Sequence, residues 1–358
     1  MTEALGFFSP WSVYLLVLGL HLALPARSVE GYVRDSEGKP LRYRLNGLPV
    51  LIVSVLIWFA FGYLGLIPWD WLYQVRWWSL AGAVFLGLMF TIAVVLPAPP
   101  SGRGLIAELF LGRRENPQWL SQRVDAKMML YLLGAIMLEL NLLAFATYHV
   151  QRSSYEGSYG VILHVALFTW FVVDYFAFEK VHLYTYDFVA ERVGFKLGWG
   201  CLAFYPYFYA IGLWAVVAKP EPGVGGGFLT LAAVMFFCGW ALSRGANLQK
   251  FCFKRDPERA FLGIAPESIR DGDRALLCNG FWGVARHVNY LGELLMSIGL
   301  TMSLGYPGAW LPWLYPLYYV ALLVPRERDD DRRCAEKYGE LWERYRERVP
   351  RRIIPGVY

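Results

Sequence analysis

Apolar residues along this chain are gathered in long blocks instead of the scattered positions of a soluble protein. Nine blocks read as helical membrane spans, at about residues 10–25, 47–68, 77–97, 128–148, 159–178, 198–218, 227–243, 289–305 and 307–325. Several come close to the roughly 20 residues needed to cross ~30 Å of hydrocarbon. The first does not read as a secretory leader, because Glu3 and no basic residue precedes it. The last two are separated only by Leu304-Gly305-Tyr306-Pro307 and read as a tight helical hairpin.

Positive charge fixes the expected orientation. Lys and Arg number 5 in residues 26–46, 5 in 98–127, 3 in 179–197, 8 in 244–288 and 10 in 326–358, which is 31 of the 34 in the chain. The alternate loops hold only Arg76, Arg152 and Lys219. With nine spans this alternation places the C-terminal tail in the cytoplasm. The net charge of +5 therefore reads as topology and contact with anionic lipid, not as nucleic-acid binding.

Composition agrees: of 358 residues, 56% are hydrophobic and only 18% charged, too apolar for ordinary soluble domains. The expected fold class is an all-α polytopic membrane protein of about nine to ten helices with a C-terminal cytoplasmic cap. Polar content rises after residue 243. That divides the chain into residues 1–243, a transmembrane scaffold, and residues 244–358, a basic loop, two further spans and a charged tail. No Cys-x-x-Cys pair occurs among Cys201, Cys238, Cys252, Cys278 and Cys334, so neither a zinc site nor a disulfide framework is suggested and no metal is expected. The run Gly223–Phe228 is glycine-rich, but it follows Pro222 and no strand, so it reads as a turn and not a dinucleotide fingerprint.

Candidate chemistry concentrates near the end. Arg326, Asp330, Cys334 and Tyr338 recur every four residues and share one helix face, which Trp342 and Tyr345 roughly continue. A solvated amphipathic helix accounts for the arginines; the aromatic stripe suits a groove for a flat, charged ligand. In "GFWGVARHVNYLGE" (Gly280–Glu293), Arg286, Asn289 or Tyr290, and Glu293 fall on one face as a span begins. Arg286 and Glu293 could also form a purely structural pair. Lys250 and Lys254 lie one turn apart beyond the seventh span. Asp174 and Glu179 sit in or at the end of the fifth span, where a carboxylate is costly and therefore a functional candidate.

At these residues the sequence resembles the sterol reductases, a family that includes delta-14 and delta-7 enzymes and the membrane domain of the lamin B receptor. "GFWGVARHVNYLGE" and "RERDDDRRCAEKYGELWERYRERVPRRIIP" carry the likeness, supported upstream by "NLQKFCFK", "VDYFAFE", "GRRENP" and "LRYRLNGL". The resemblance spans about residue 30 to Tyr358. It implies about ten transmembrane helices, a cofactor pocket built from the C-terminal part, and NADPH-dependent saturation of a sterol ring double bond in an endoplasmic-reticulum or bacterial inner membrane. The Phe281–His287 run leans towards the delta-7 enzymes.

Carried over residue by residue, the resemblance assigns cofactor binding to Lys250, Lys254, Trp282, Arg286, His287, Asn289, Tyr290, Arg326, Asp330, Cys334 and Tyr338. It puts Tyr345 where cofactor and sterol meet. Lys254 stands where arginine is usual, Val288 where proline or phenylalanine is common, Pro325 where histidine is common and Cys201 where aspartate is frequent.

An isolated alkene accepts hydride poorly, so an acid must protonate it first. Tyr345, relayed through Asp330, is the first candidate, with Glu293 and Asp174 as alternatives. The sterol is expected to enter from the bilayer, and membrane lipids are the other expected partners. The sequence does not reveal an oligomeric state. The alternative reading is an S-adenosylmethionine-dependent membrane methyltransferase of the isoprenylcysteine or phospholipid type, whose motifs resemble "RHVNYLGE".

Overall fold

The computed structural model of the chain describes residues 2–152, 158–220 and 222–358. The protein is mostly helical and divides into two compact units, Met1–Gly223 and Val224–Tyr358. The second unit thus takes in the whole of the helix Gly226–Arg255, whose apolar half the polarity profile had grouped with the first 243 residues.

The N-terminal unit contains α1 (Thr2–Ala23), α2 (Gly47–Tyr63), α3 (Arg76–Val95), α4 (Ala126–Arg152), α5 (Tyr159–Ala177) and the interrupted helix α6 (Phe195–Val216). Between α1 and α2, the expected basic loop forms a hairpin instead, β1 (Arg27–Arg34) against antiparallel β2 (Pro40–Leu45). Asp35 shapes its turn by accepting the backbone N–H groups of Glu37 and Lys39. Beyond the hairpin, Arg44 and Asn46 donate to the carbonyls of His21, Leu22 and Leu24, which the end of α1 leaves without helical partners.

Helix α4 is the hub of this unit and its most deeply buried helix. α6 winds as a π-helix over Gly200–Phe204. The cause lies in the sequence: Pro206 has no N–H to give to the carbonyl of Leu202. Tyr14 fills the vacancy by donating its hydroxyl to that carbonyl at 2.5 Å, and Asn141 donates to the carbonyl of Pro206 itself.

The C-terminal unit contains α7 (Gly226–Arg255), a hairpin of β3 (Ser268–Asp271) and β4 (Arg274–Leu277), the short α8 (Phe281–Val284), α9 (Val288–Ser303), α10 (Leu314–Tyr338) and α11 (Glu340–Arg348). α7 and α9 pack closely along a seam of small residues. A Cβ on Gly239 would strike the carbonyl of Gly292, and one on Gly292 would strike that of Gly239. Small residues let two helix backbones approach where hydrophobicity alone gives no preference between helix and lipid.

Among the described residues, six helices, α1, α3, α4, α5, α6 and α7, are long and apolar enough to cross a membrane. The other three expected spans fall on shorter or mixed elements. α2 has 17 residues, α9 has 16, and α10 is apolar only in its first half.

Candidate functional site

The candidate site is built in the C-terminal unit around the last turns of α7. Gln249, buried there, works as a bracket: its Oε1 accepts the N–H of Phe281 at 3.0 Å and its Nε2 donates to the carbonyl of Asn279 at 3.4 Å. The turn between these residues needs Gly280, which sits at φ +60° with its Cα against the Gln249 amide. Trp282 is thereby laid along α7. Its indole N–H donates to the carbonyl of Ala246 at 2.8 Å, and the Lys250 ammonium lies 5.2 Å from its ring centroid. The sequence placed Lys250 and Trp282 in separate motifs; the fold stacks one on the other.

Tyr345 reaches the same turn from α11. It is buried, and its hydroxyl donates to the backbone carbonyl of Trp282 at 3.2 Å. Burial pushes its phenol well above the ordinary range. Around it pack Cys278, Trp342 and Val349, with Cys334 and Tyr338 against them. Cys334 is pushed up to about 12, first by burial and then by the charge of Asp330, so it stays a thiol.

Asp330 and His287 complete the arrangement. The Nδ1 of His287 lies 3.9 Å from Asp330 and its Nε2 lies 4.0 Å from Glu327. Burial, and then the charges of Lys250, Arg286 and Arg352, push His287 down to about 3, so a neutral imidazole faces the two carboxyl groups. Its ring stacks on Tyr290 at 4.9 Å. Burial raises Asp330, with Lys250 opposing the shift. Lys250, Trp282, His287, Asp330, Cys334, Tyr338 and Tyr345 therefore come together as one polar and aromatic cluster.

Arg286 turns elsewhere. It is 4% exposed, and its guanidinium donates to the carbonyls of Val349 at 2.9 Å and Pro350 at 3.0 Å, with Nε 3.8 Å from Asp331. The backbone N–H groups of Arg286 and His287 add bonds to Arg351 and Arg352. Arg286 thus clasps the C-terminal segment through Nη1, which donates to both main-chain carbonyls. Glu293, the partner weighed for Arg286, instead accepts the Ser243 hydroxyl at 2.6 Å across the α7–α9 seam.

Asn289 reaches from α9 to α7, where its Nδ2 donates to Asn247 at 3.4 Å. Its buried Oδ1 has no hydrogen-bond partner among the described residues. Lys254 lies one turn beyond Lys250, close to Lys337 and Cys334. Arg326 is half-buried one turn before Asp330. Asp174 belongs to the N-terminal unit, partly buried near the end of α5, and the cluster is built without it. Glu179, the other carboxylate singled out near that span, caps a helix: both its oxygens accept the N–H of Gly47 at the start of α2, at 3.1 and 3.2 Å.

Glu327 is the residue that sequence reasoning missed. It is fully buried and accepts from Arg352 at 3.1 Å and from the hydroxyl of Tyr358 at 3.2 Å. The four-residue spacing singled out Arg326 and drew attention away from its neighbour. The only signal was an acidic residue set among the arginines of "RERDDDRR".

This cluster falls in the two segments that carry the resemblance, and a family model for the ergosterol biosynthesis ERG4/ERG24 family matches residues 2–358. The chain belongs to that family. Curated members are similar along nearly the whole chain. The delta(14)-sterol reductase of Arabidopsis thaliana is 34% identical, over 97% of this chain and 94% of its own length. The delta(14)-sterol reductase TM7SF2 of Mus musculus is 33% identical, over 98% and 86%. A probable 7-dehydrocholesterol reductase of Acanthamoeba polyphaga mimivirus is 28% identical, over 99% and 83%. Membership supports the reductase reading; the methyltransferase alternative finds no support among these relatives.

Proposed function

We propose that this chain is a membrane-embedded oxidoreductase that saturates a carbon–carbon double bond in a sterol ring, with NADPH as hydride source and the delta-14 bond as first choice. The relatives at 30–34% identity carry the name delta(14)-sterol reductase, which outweighs the lean of the Phe281–His287 run towards delta-7. The observation that carries the reading is the Lys250–Trp282–Tyr345 contact in the cluster: a cation, an aromatic face and a phenol brought together from three segments distant in sequence.

The residues present fit a phosphate-bearing dinucleotide. Lys250, Lys254 and Arg326 supply positive charge, and the Trp282 and Tyr338 rings supply flat faces. The Asn289 Oδ1, buried and without a partner among the described residues, supplies an acceptor that a ligand amide can meet. When bound, NADPH would supply the hydride. The chain's own task is to deliver the proton. Tyr345 is the proposed acid, its hydroxyl held on the Trp282 carbonyl until a substrate displaces that contact. Asp330, raised by burial, is the proposed proton relay behind it. Glu293 and Asp174 are second choices.

The positive-inside count supports nine to ten spans and a cytoplasmic C-terminal segment. The sterol would then enter from the bilayer, while the cofactor would approach from the cytoplasm, whether the membrane is a bacterial inner membrane or the endoplasmic reticulum.

Purified protein incubated with NADPH and a panel of 8,14-diene and 5,7-diene sterols tests this reading by mass spectrometry. A product two hydrogens heavier from the 8,14-diene is expected. Binding of S-adenosylmethionine in place of NADPH, or no reduced sterol from any member of the panel, would overturn it.

A further inference from the structure

The mechanism leaves unused a set of polar groups deep in the N-terminal unit. Glu139 stands at the midpoint of α4, and Thr169 and Ser54 stand within one residue of the midpoints of α5 and α2. These three helices pack against one another, so the three groups lie near one level, in the middle of the apolar layer. Thr169 donates its hydroxyl to Glu139 Oε1 at 2.7 Å. The second carboxyl oxygen of Glu139 and the hydroxyl of Ser54 are buried and have no hydrogen-bond partner among the described residues. Glu139 is 2% exposed. Nothing in its sequence context, "AIMLELNLL", distinguishes it from a packing accident.

Buried polar groups at this depth are costly unless paired, and those that persist mark pathways or ligands. Leu143 and Ala146 follow Glu139 on the same face of α4, and both are partly exposed, as is Thr169. The pair therefore lies among apolar side chains, with one carboxyl oxygen left over. Phospholipids keep their head groups and hydroxyls at the interface. A ligand that brings a lone hydroxyl to mid-depth must be apolar over the rest of its body, as a sterol is. One hydroxyl both donates and accepts, which matches an open carboxyl oxygen beside a serine or threonine hydroxyl.

We infer that Glu139 and Thr169, with Ser54 at the same level, recognise the hydroxyl group of the sterol. This rests on the sterol reductase reading and deepens it by naming the groups that would recognise the substrate's polar end.

Equilibrium binding of two radiolabelled probes to the detergent-purified full chain tests it. The probes are a 3β-hydroxy-8,14-diene sterol and its 3-deoxy analogue, each measured without cofactor against wild type, E139Q, E139L and T169V. Wild type should prefer the hydroxylated probe by about tenfold, the effect of one well-made hydrogen bond in a dry site. E139L and T169V should erase that preference while leaving affinity for the deoxy probe unchanged, and E139Q should retain part of it. Equal weakening for both probes, or a preference that survives E139L, overturns the inference. Should E139L fail to give a monodisperse folded protein, T169V and E139Q decide, and a wild-type ratio in both overturns it. Protein that binds the hydroxylated probe selectively but reduces no sterol would sink the reductase reading and leave this site standing. Protein that reduces sterols without preferring the hydroxyl would do the reverse.

Discussion

The hydroxyl of Tyr345 donates to the main-chain carbonyl of Trp282 at 3.2 Å, joining α11 to the turn that α7 holds in place. If Tyr345 is the acid, removing one oxygen should abolish chemistry at little cost to the fold. Tyr345→Phe is expected to lower single-turnover reduction by roughly 10²–10⁴-fold, the usual worth of a positioned general acid. Its stability should fall by only about 1 kcal/mol, the net value of one hydrogen bond. Rapid-quench kinetics with thermal unfolding in detergent separates the two; near-normal turnover would move the acid to Asp330, Glu293 or Asp174.

Arg286 should behave as a structural residue. Its guanidinium is buried on the carbonyls of Val349 and Pro350. Arg286→Ala leaves these acceptors unpaired, and a loss of roughly 3 kcal/mol is expected for a broken buried charged contact. Limited proteolysis should cut first near residues 349–358, with or without NADPH. An Arg286→Ala protein of wild-type stability that merely binds NADPH weakly would instead support the cofactor assignment.

Lys250 is expected to act on affinity. Lys250→Ala should raise the NADPH dissociation constant by roughly tenfold to a hundredfold, as for loss of a charge-assisted contact, and flatten its dependence on salt. Lys250→Arg should recover part of the loss. Fluorescence titration at two ionic strengths reads both effects.

His287 gives the C-terminal unit a pH dependence whose sign can be worked out. Folded, the imidazole is held neutral down to about 3, facing Lys250, Arg286 and Arg352 as well as Asp330 and Glu327. Unfolded, it titrates at roughly 6.5. The unfolded chain therefore binds the extra proton first. Stability is fully present above pH ~6.5 and is lost as pH falls from there towards the folded value, at up to about 1.4 kcal/mol per pH unit. Asp330 works in the opposite sense: its raised value means stability drains away as pH climbs through the acidic range. His287→Gln should flatten the unfolding profile between pH 6.5 and 4.5, measured by thermal melts across that range.

The α7–α9 seam should not tolerate a methyl group. Gly292→Ala pushes a Cβ into the carbonyl of Gly239. Overpacking of this kind costs typically ~1–3 kcal/mol, read as a lower melting temperature in detergent.

Sequence alone settled what depends on local composition and spacing. Blocks of apolar residues announced the helices, because a helix that faces lipid must be apolar over its whole length. The four-residue spacing from Arg326 to Tyr338 gave a shared helix face, and the motifs at Gly280–Glu293 and Arg326–Pro355 pointed to the family. Spans were less legible where hydrophobicity and helix length part company, as in α9 and α10. The hairpin Arg27–Leu45 was missed because its basic residues read only as loop charge.

Only the tertiary structure decided which partner each polar group has. Arg286, one turn from Asn289 and Tyr290, is claimed by a segment more than sixty positions away. Glu179, seemingly a stranded carboxylate, caps a helix that begins at Gly47. Glu139, plain in the sequence, is a half-satisfied acid between packed helices. Hydrogen bonds and charges are satisfied through space, between segments that no local pattern relates, so the pattern can nominate residues while the fold assigns their work.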